Sequence, residues 1–148
     1  MARRMKLKEA SLINRTTIRV RFSEVDSMRI VWHGEYIRYF EDGRESFGRQ
    51  FSGLGYMEMH EAGYFVPMVH VEVDFKSPLA VGDTVIIETR YINSEAAKIC
   101  FQYVLYRESD MQVVATGESM QVFLNRLFEL ELVSPLFYQE WKKRWNIE

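Results

Sequence analysis

Residues 21–53, RFSEVDSMRIVWHGEYIRYFEDGRESFGRQFSG, decide how the rest of the chain must be arranged. The segment reads as a strand end, a loop carrying Asp26 and His33, and an amphipathic helix from about Tyr36 onward. Tyr36, Ile37, Phe40, Gly43, Phe47 and Phe51 recur mostly at intervals of three and four, the repeat of one buried helical face. Glu35, Arg38, Glu41, Asp42, Glu45 and Arg49 fall on the opposite face, where water can solvate them. Ser52-Gly53-Leu54-Gly55 then supplies glycines suited to ending a helix. A glycine in mid-helix costs about 1 kcal/mol relative to alanine, so Gly43 on the buried face predicts that another backbone passes close by.

Upstream, Thr17 to Phe22 alternates, with Ile18, Val20 and Phe22 on one side and Thr17, Arg19 and Arg21 on the other, as in a half-buried strand. Downstream, Tyr64 to Lys76 holds the clearest alternation in the chain. Val69, Val71, Val73 and Phe75 point to a core, and His70, Glu72, Asp74 and Lys76 point away from it. Ser77-Pro78 and Val81-Gly82-Asp83 lead into a strand over Thr84 to Asn93. Lys98 to Glu108 and Val113 to Leu124 follow after short polar connections, so these three segments form an antiparallel meander. Ser134-Pro135 starts a short terminal helix in LFYQEWKKRWN. The order is that of an α+β domain: a curled antiparallel sheet of about five strands wrapped around one long helix, since a flat sheet would leave Tyr36, Phe40 and Phe47 poorly covered.

A chain of 148 residues fits a single domain, residues 1–148, and one of this size buries roughly 70% of its unfolded surface. With 47% apolar and 14% aromatic residues the core needs no staples, and disorder is excluded. The formal net charge of -2 offers no overall attraction to nucleic acid or to an anionic membrane. Cys100 is the only cysteine and lies in an apolar strand-like run, so it reads as a small buried hydrophobe in a reducing compartment. The basic lead MARRMKLKEASLINR has no apolar run behind it, which predicts no secretory signal, no membrane span and a cytoplasmic protein.

The spacings of His33, His60 and His70 supply no metal-ligand pair, and no metal is expected. The glycines at 43, 48, 53 and 55 fall in and after a helix, which rules out a phosphate loop. No serine has the flanking glycines of a nucleophile elbow. Asp26 with His33 remains. Asp26 alone reads equally as a turn former, and His33 beside Trp32 as a packing residue. Together they gain weight, because a helix starting near His33 and Gly34 presents unpaired amides and a partial positive charge suited to an oxyanion. A carboxylate just upstream, facing the same carbon, makes a site for attack on a carbonyl, with Asp26 adding to the carbon or activating water.

These residues also carry a family resemblance. VDSMRIVWHGEY at 25–36, FEDGRE at 40–45 and VDFKSPLAVGDTV at 73–85 resemble the loop, helix, second strand and following turn of hotdog-fold acyl-CoA thioesterases of the 4-hydroxybenzoyl-CoA thioesterase type. The resemblance covers roughly Ile18 to Leu124. It implies Asp26 as the catalytic carboxylate and the amide of His33 or Gly34 as the group polarising the thioester carbonyl, with the His33 ring assisting. Trp32, Gly34 and Arg29 are expected to contact the substrate. It further implies hydrolysis of a small-molecule acyl-CoA, no cofactor beyond the coenzyme A of the substrate, and homodimers or homotetramers with sites at subunit interfaces. Oligomers follow from the sheet as well, whose edge strands leave amides unpaired.

Two positions depart from that family. Arg29 stands where the family usually has glycine, which predicts a differently shaped loop or a cation that meets an anionic part of the substrate. Glu35 stands where the family usually has asparagine, adding negative charge that suits the helix dipole and disfavours an anionic acyl group. Both favour an alternative, a non-catalytic module of the same fold that binds acyl-CoA or acyl carrier protein. A hydratase or dehydratase is disfavoured by the missing pairing of a loop histidine with a helical carboxylate. Tyr64 to Met68 are candidate pocket lining, with ordinary core as their plainer reading.

Overall fold

The computed structural model describes residues 5–148; residues 1–4 of the basic lead lie outside the described residues. Strand β1 is Leu12–Arg19, followed by a 3-10 turn at Phe22–Glu24, helix α1 at Glu35–Gln50 and a short helix α2 at Tyr56–Glu61. Strands β2 (Met68–Phe75), β3 (Thr84–Ile92), β4 (Lys98–Arg107) and β5 (Gln112–Val122) precede helix α3 (Leu136–Arg144). All pairings are antiparallel, in the order β1-β3-β4-β5-β2. The meander β3-β4-β5 is the centre that its short connections require. β1 and β2 lie at opposite edges, so the connection between them must cross the whole sheet, and α1 is the element that crosses.

Contacts from that one helix reach all five strands. Phe40 stacks on Tyr103 of β4 with ring centroids 4.1 Å apart, and it lies where a side chain on Gly117 of β5 would have to go. Gly43 abuts Ile87 and Thr89 of β3. Tyr36 meets Phe75 of β2 edge-on at 5.0 Å, and the Asn14 side chain of β1 donates to Gln50 Oε1 at 2.7 Å. A sheet that touches one rod along its whole width has to curl, as its right-handed twist already favours. The expected α+β architecture, a curled five-stranded sheet around a long helix, is the one observed. Helix α3 closes the far end of α1, with Trp141 Nε1 donating to Phe51 O at 2.9 Å and the Tyr138 and Tyr91 hydroxyls bonded to each other.

Several details differ from the pattern reading. Gly43 faces side chains rather than a passing backbone. The buried face of α1 runs through Tyr36, Tyr39, Phe40, Gly43 and Phe47; Ile37 is 46% exposed while Tyr39 is 1% exposed, because a residue next to Tyr36 is turned about 100° from it. Glu35, placed on the solvent face by its charge, is only 8% exposed. The alternation of β1 ends at Val20, where the chain enters the 3-10 turn and leaves Phe22 83% exposed. β1 also begins earlier than its alternation, at Leu12, since Arg15 is paired directly with Glu88 of β3 at 2.8 Å. In β2 a bulge between Met68 and His70 leaves Val69 exposed, while Val71 and Val73 pack against the core. Helix α2 is too short for a periodic signal; Glu58 Oε1 fixes its start by accepting from the amides of Gly53 and Gly55, each at 3.2 Å. Among the described residues no helix is long and apolar enough to cross a membrane.

Candidate active site at the start of the long helix

The segment between β1 and α1 is closed by its own backbone. Val25 and Val31 form an antiparallel bridge, Trp32 N donates to Glu24 O at 2.9 Å, and Asp26 N donates to Ile30 O at 2.9 Å. Val31 N donates to Leu79 O at 2.9 Å, which ties this small hairpin to the turn before β3. At its tip Arg29 N donates to Asp26 O and Met28 N donates to Asp26 Oδ1 at 2.8 Å. Asp26 is thus a turn former, as one reading of its sequence position requires, and half-buried. Only Oδ1 is used by the turn; among the described residues Oδ2 has no hydrogen-bond partner.

Arg29 adopts φ +66. Arginine occupies this left-handed conformation, which glycine takes without strain, with its side chain exposed. The Asp26 turn supplies a compensating hydrogen bond on each side.

Gly34 is the N-cap residue of α1 and no side chain caps the helix. Among the described residues neither the His33 nor the Gly34 N–H donates a hydrogen bond, while the carbonyls of Trp32 and His33 accept from Glu35 and Tyr36. Free amides at the positive end of a 16-residue helix are the groups an oxyanion needs. The Trp32 indole lies over Gly34 so closely that a Cβ there would overlap it. The exposed His33 ring leans on the Trp32 ring at 4.9 Å. Asp26 and Arg29 thus sit at the tip of the hairpin, and Trp32, His33 and Gly34 continue its second arm into the start of α1.

Three groups beneath that mouth were not among the expected site residues. Glu24 is buried, and its Oε1 accepts from Arg21 N at 2.8 Å and from the Tyr39 hydroxyl at 3.1 Å. Burial, then the negative charge of Glu24, raises the Tyr39 pKa far above its ordinary value and keeps the phenol a donor. Glu35 has an oxygen, Oε2, buried without a partner among the described residues, and its Oε1 is 3.7 Å from Arg38 Nη1. A buried face that counts Tyr39 instead of Ile37 would have pointed to Glu35 as its neighbour one turn back. Elsewhere, His70 Nε2 lies 2.9 Å from Glu72 Oε1 and 4.0 Å from Glu118 Oε1, a donor triangle that two strands assemble and that spacing along the chain does not reveal. Burial pushes the Cys100 thiol pKa up, which makes it a poor nucleophile.

Two clefts lie away from the helix mouth. One of about 110 Å³ is on the outer sheet face beside Cys100 and Glu118. The other, about 280 Å³, is lined by α2, residues 64–67, Leu124 and Phe128, so the candidate lining residues Tyr64, Phe65, Val66 and Pro67 do border a cavity.

Comparison with known proteins agrees with this architecture. A profile of the thioesterase-like superfamily matches residues 20–127. YneP of Bacillus subtilis (strain 168), named as a candidate acyl-CoA thioesterase, is 28% identical over 111 residues, 74% of this chain and 80% of YneP. The DHNA-CoA thioesterase of Staphylococcus aureus superposes with a TM-score of 0.80 at 20% identity, covering 89% of each chain. A 4-hydroxybenzoyl-CoA thioesterase, solved as an aspartate-to-asparagine mutant complexed with 4-hydroxybenzoyl-CoA, superposes with a TM-score of 0.75 at 19% identity over 87% of this chain and 97% of that one. At such identities the two structures establish the fold. The match from Val20 to Leu127 takes in the hairpin, the helix and the whole β2–β5 sheet, and the chain belongs to the thioesterase-like superfamily, with its hotdog fold and the chemistry of a thioester hydrolase.

Proposed function

We propose that the chain hydrolyses an acyl-CoA thioester to a free acid and coenzyme A, with the Asp26 turn and the first amides of α1 as the reacting machinery. The observation that supports this is that, among the described residues, the His33 and Gly34 amides donate no hydrogen bond and the Asp26 carboxylate, at the turn of the same hairpin, uses only one oxygen. As the thioester carbon becomes tetrahedral, negative charge gathers on its oxygen, and donors already aimed there need no reorganisation; losing one such donor typically costs about 100- to 1000-fold. Asp26 Oδ2 then has two routes. It adds to the carbon and expels the coenzyme A thiolate, leaving a mixed anhydride that water cleaves, or it takes a proton from a water that adds directly. The His33 ring assists at the same carbonyl, Trp32 holds that ring in place, and Arg29 meets an anionic part of coenzyme A. Nothing beyond the substrate's own coenzyme A is called for.

In this reading the site is shared between two copies. β2 forms one edge of the sheet. β1 forms the other and shows exposed Arg15 and Arg19, charges of the kind that discourage edge pairing. β2 begins beside residues 64–67 and ends at Phe75, which packs on Tyr36 at the start of α1. Two β2 strands joined antiparallel about a two-fold axis set the beginning of each against the end of the other. Residues 64–67 of one protomer then border the partner's helix mouth. The test is turnover of a panel of coenzyme A esters by wild type and Asp26→Asn, with mass measured by light scattering. Hydrolysis abolished by the substitution, in particles of two or four chains, supports the proposal; equal turnover by the variant overturns it. One turnover in ¹⁸O-water, with label found in Asp26, selects the anhydride route.

A further inference from the structure

The geometry points to an apolar acyl chain of about eight to ten carbons as the acyl group, held in the cleft in front of β2 of one protomer while its thioester reaches the partner's Asp26 turn. This rests on the acyl-CoA reading and names its substrate class. The cleft holds about 280 Å³. A methylene fills about the share that a water molecule takes in the liquid, roughly 30 Å³, so the space suits about nine carbons. Met59, Tyr64, Phe65, Val66, Leu124 and Phe128 supply most of the wall, and no Lys, Arg, Asp or Glu borders it. His60 is the one lining side chain able to carry positive charge, so a carboxylated acyl group would find no lysine or arginine there.

The wall is built rather than incidental. Phe65 and Leu124 exchange both backbone hydrogen bonds, at 2.9 and 2.8 Å, and Gln121 Nε2 donates to Val66 O at 3.0 Å. Opposite, Phe128 has φ +61, a conformation in which a bulky L residue is a true outlier. It is held there by the Asn125 turn: Phe128 N donates to Asn125 O at 2.9 Å, and Leu127 N and Glu129 N both donate to Asn125 Oδ1, at 2.9 and 3.0 Å. The strained residue stacks its ring on Phe65, centroids 4.8 Å apart and planes 12° apart. Strain that persists because its surroundings over-determine it is a mark of function, and here it sets one wall of a pocket. Continuity with the β2 edge makes the cleft the pocket nearest to the partner's helix mouth in the paired arrangement.

The experiment measures binding of uncleavable S-alkyl thioethers of coenzyme A, from ethyl to tetradecyl, by calorimetry on the intact protein. Each buried methylene is worth about fourfold. Affinity should climb about three- to fourfold per carbon up to roughly C8–C10 and then level. In Val66→Trp the ratio of decyl to ethyl affinity should fall at least about tenfold. Phe128→Ala, at an exposed position where the fold is not at risk, should move the plateau to longer chains. Affinity that ignores chain length, a profile unchanged in both variants, or tighter binding of the S-carboxypropyl or S-(4-hydroxybenzyl) thioether overturns the inference. Hydrolysis of the matching esters is read separately. The chain-length profile without turnover supports the cleft and overturns the hydrolase reading, while turnover with a flat profile does the reverse.

Discussion

The two ends of β2 are unfinished in opposite ways. At the Phe75 end the groups without partners among the described residues are polar: the His33 and Gly34 amides, Asp26 Oδ2 and Glu35 Oε2. At the Met68 end the exposed groups are apolar: Tyr56 and Phe128 of the cleft wall, with Met57 and Leu127 next to them in the chain. An eight-residue strand is about 26 Å long, too far for one acyl group to use both ends of a single chain. An acyl-CoA needs both kinds of surface side by side, and the proposed antiparallel pairing of two β2 edges would put them there.

The largest expected effect comes from loosening what lies between the ends. Phe40 is fully buried between Tyr103 and Gly117, so Phe40→Ala should cost about 3–5 kcal/mol by denaturant titration and weaken both ends together. Next, Asp26→Asn should lower turnover at least about 100-fold with the circular dichroism spectrum unchanged, because it damages only the polar end. A subunit-mixing experiment then breaks or sharpens the comparison directly. Asp26→Asn and Val66→Trp chains, each poor on decanoyl-CoA, should on mixing recover roughly a quarter of wild-type activity, since random pairing makes half of the dimers mixed and each of these has one site free of both lesions. Activity no higher than the average of the two parents would place the cleft and Asp26 of one chain in the same site. The smallest effect belongs to Glu35→Asn, which removes a buried carboxylate with an unpaired oxygen and should raise stability by about 1 kcal/mol, read as a shift in the denaturation midpoint.

Much of this was legible in the residues because it is periodic. The alternation around Val71 and Val73, the three- and four-residue spacing from Tyr36 to Phe47, and the polar breaks between β3, β4 and β5 fix strands, helix and meander. What failed to show is where a pattern stops or what crosses it. Phe22 continues an alternation that the backbone has already left. Ile37 is apolar but lies off the line that Tyr39 completes, and Glu35 is charged yet buried by its position on that line. In the proposed site, Asp26, His33 and Gly34 could be named as candidates because they are neighbours along the chain. The cleft was only half visible: residues 64–67 stood out as a run, whereas Met59, Leu124 and Phe128 join them only after folding.

Arg29 sits at the hairpin tip with a backbone angle that glycine takes without strain. Its local fold is imposed by two hydrogen bonds to Asp26 rather than by its own preference. The tip is therefore a socket whose occupant can be exchanged: glycine, asparagine or a second basic residue placed there should alter which ligands are drawn in, and how fast, while the carboxylate beneath keeps its aim.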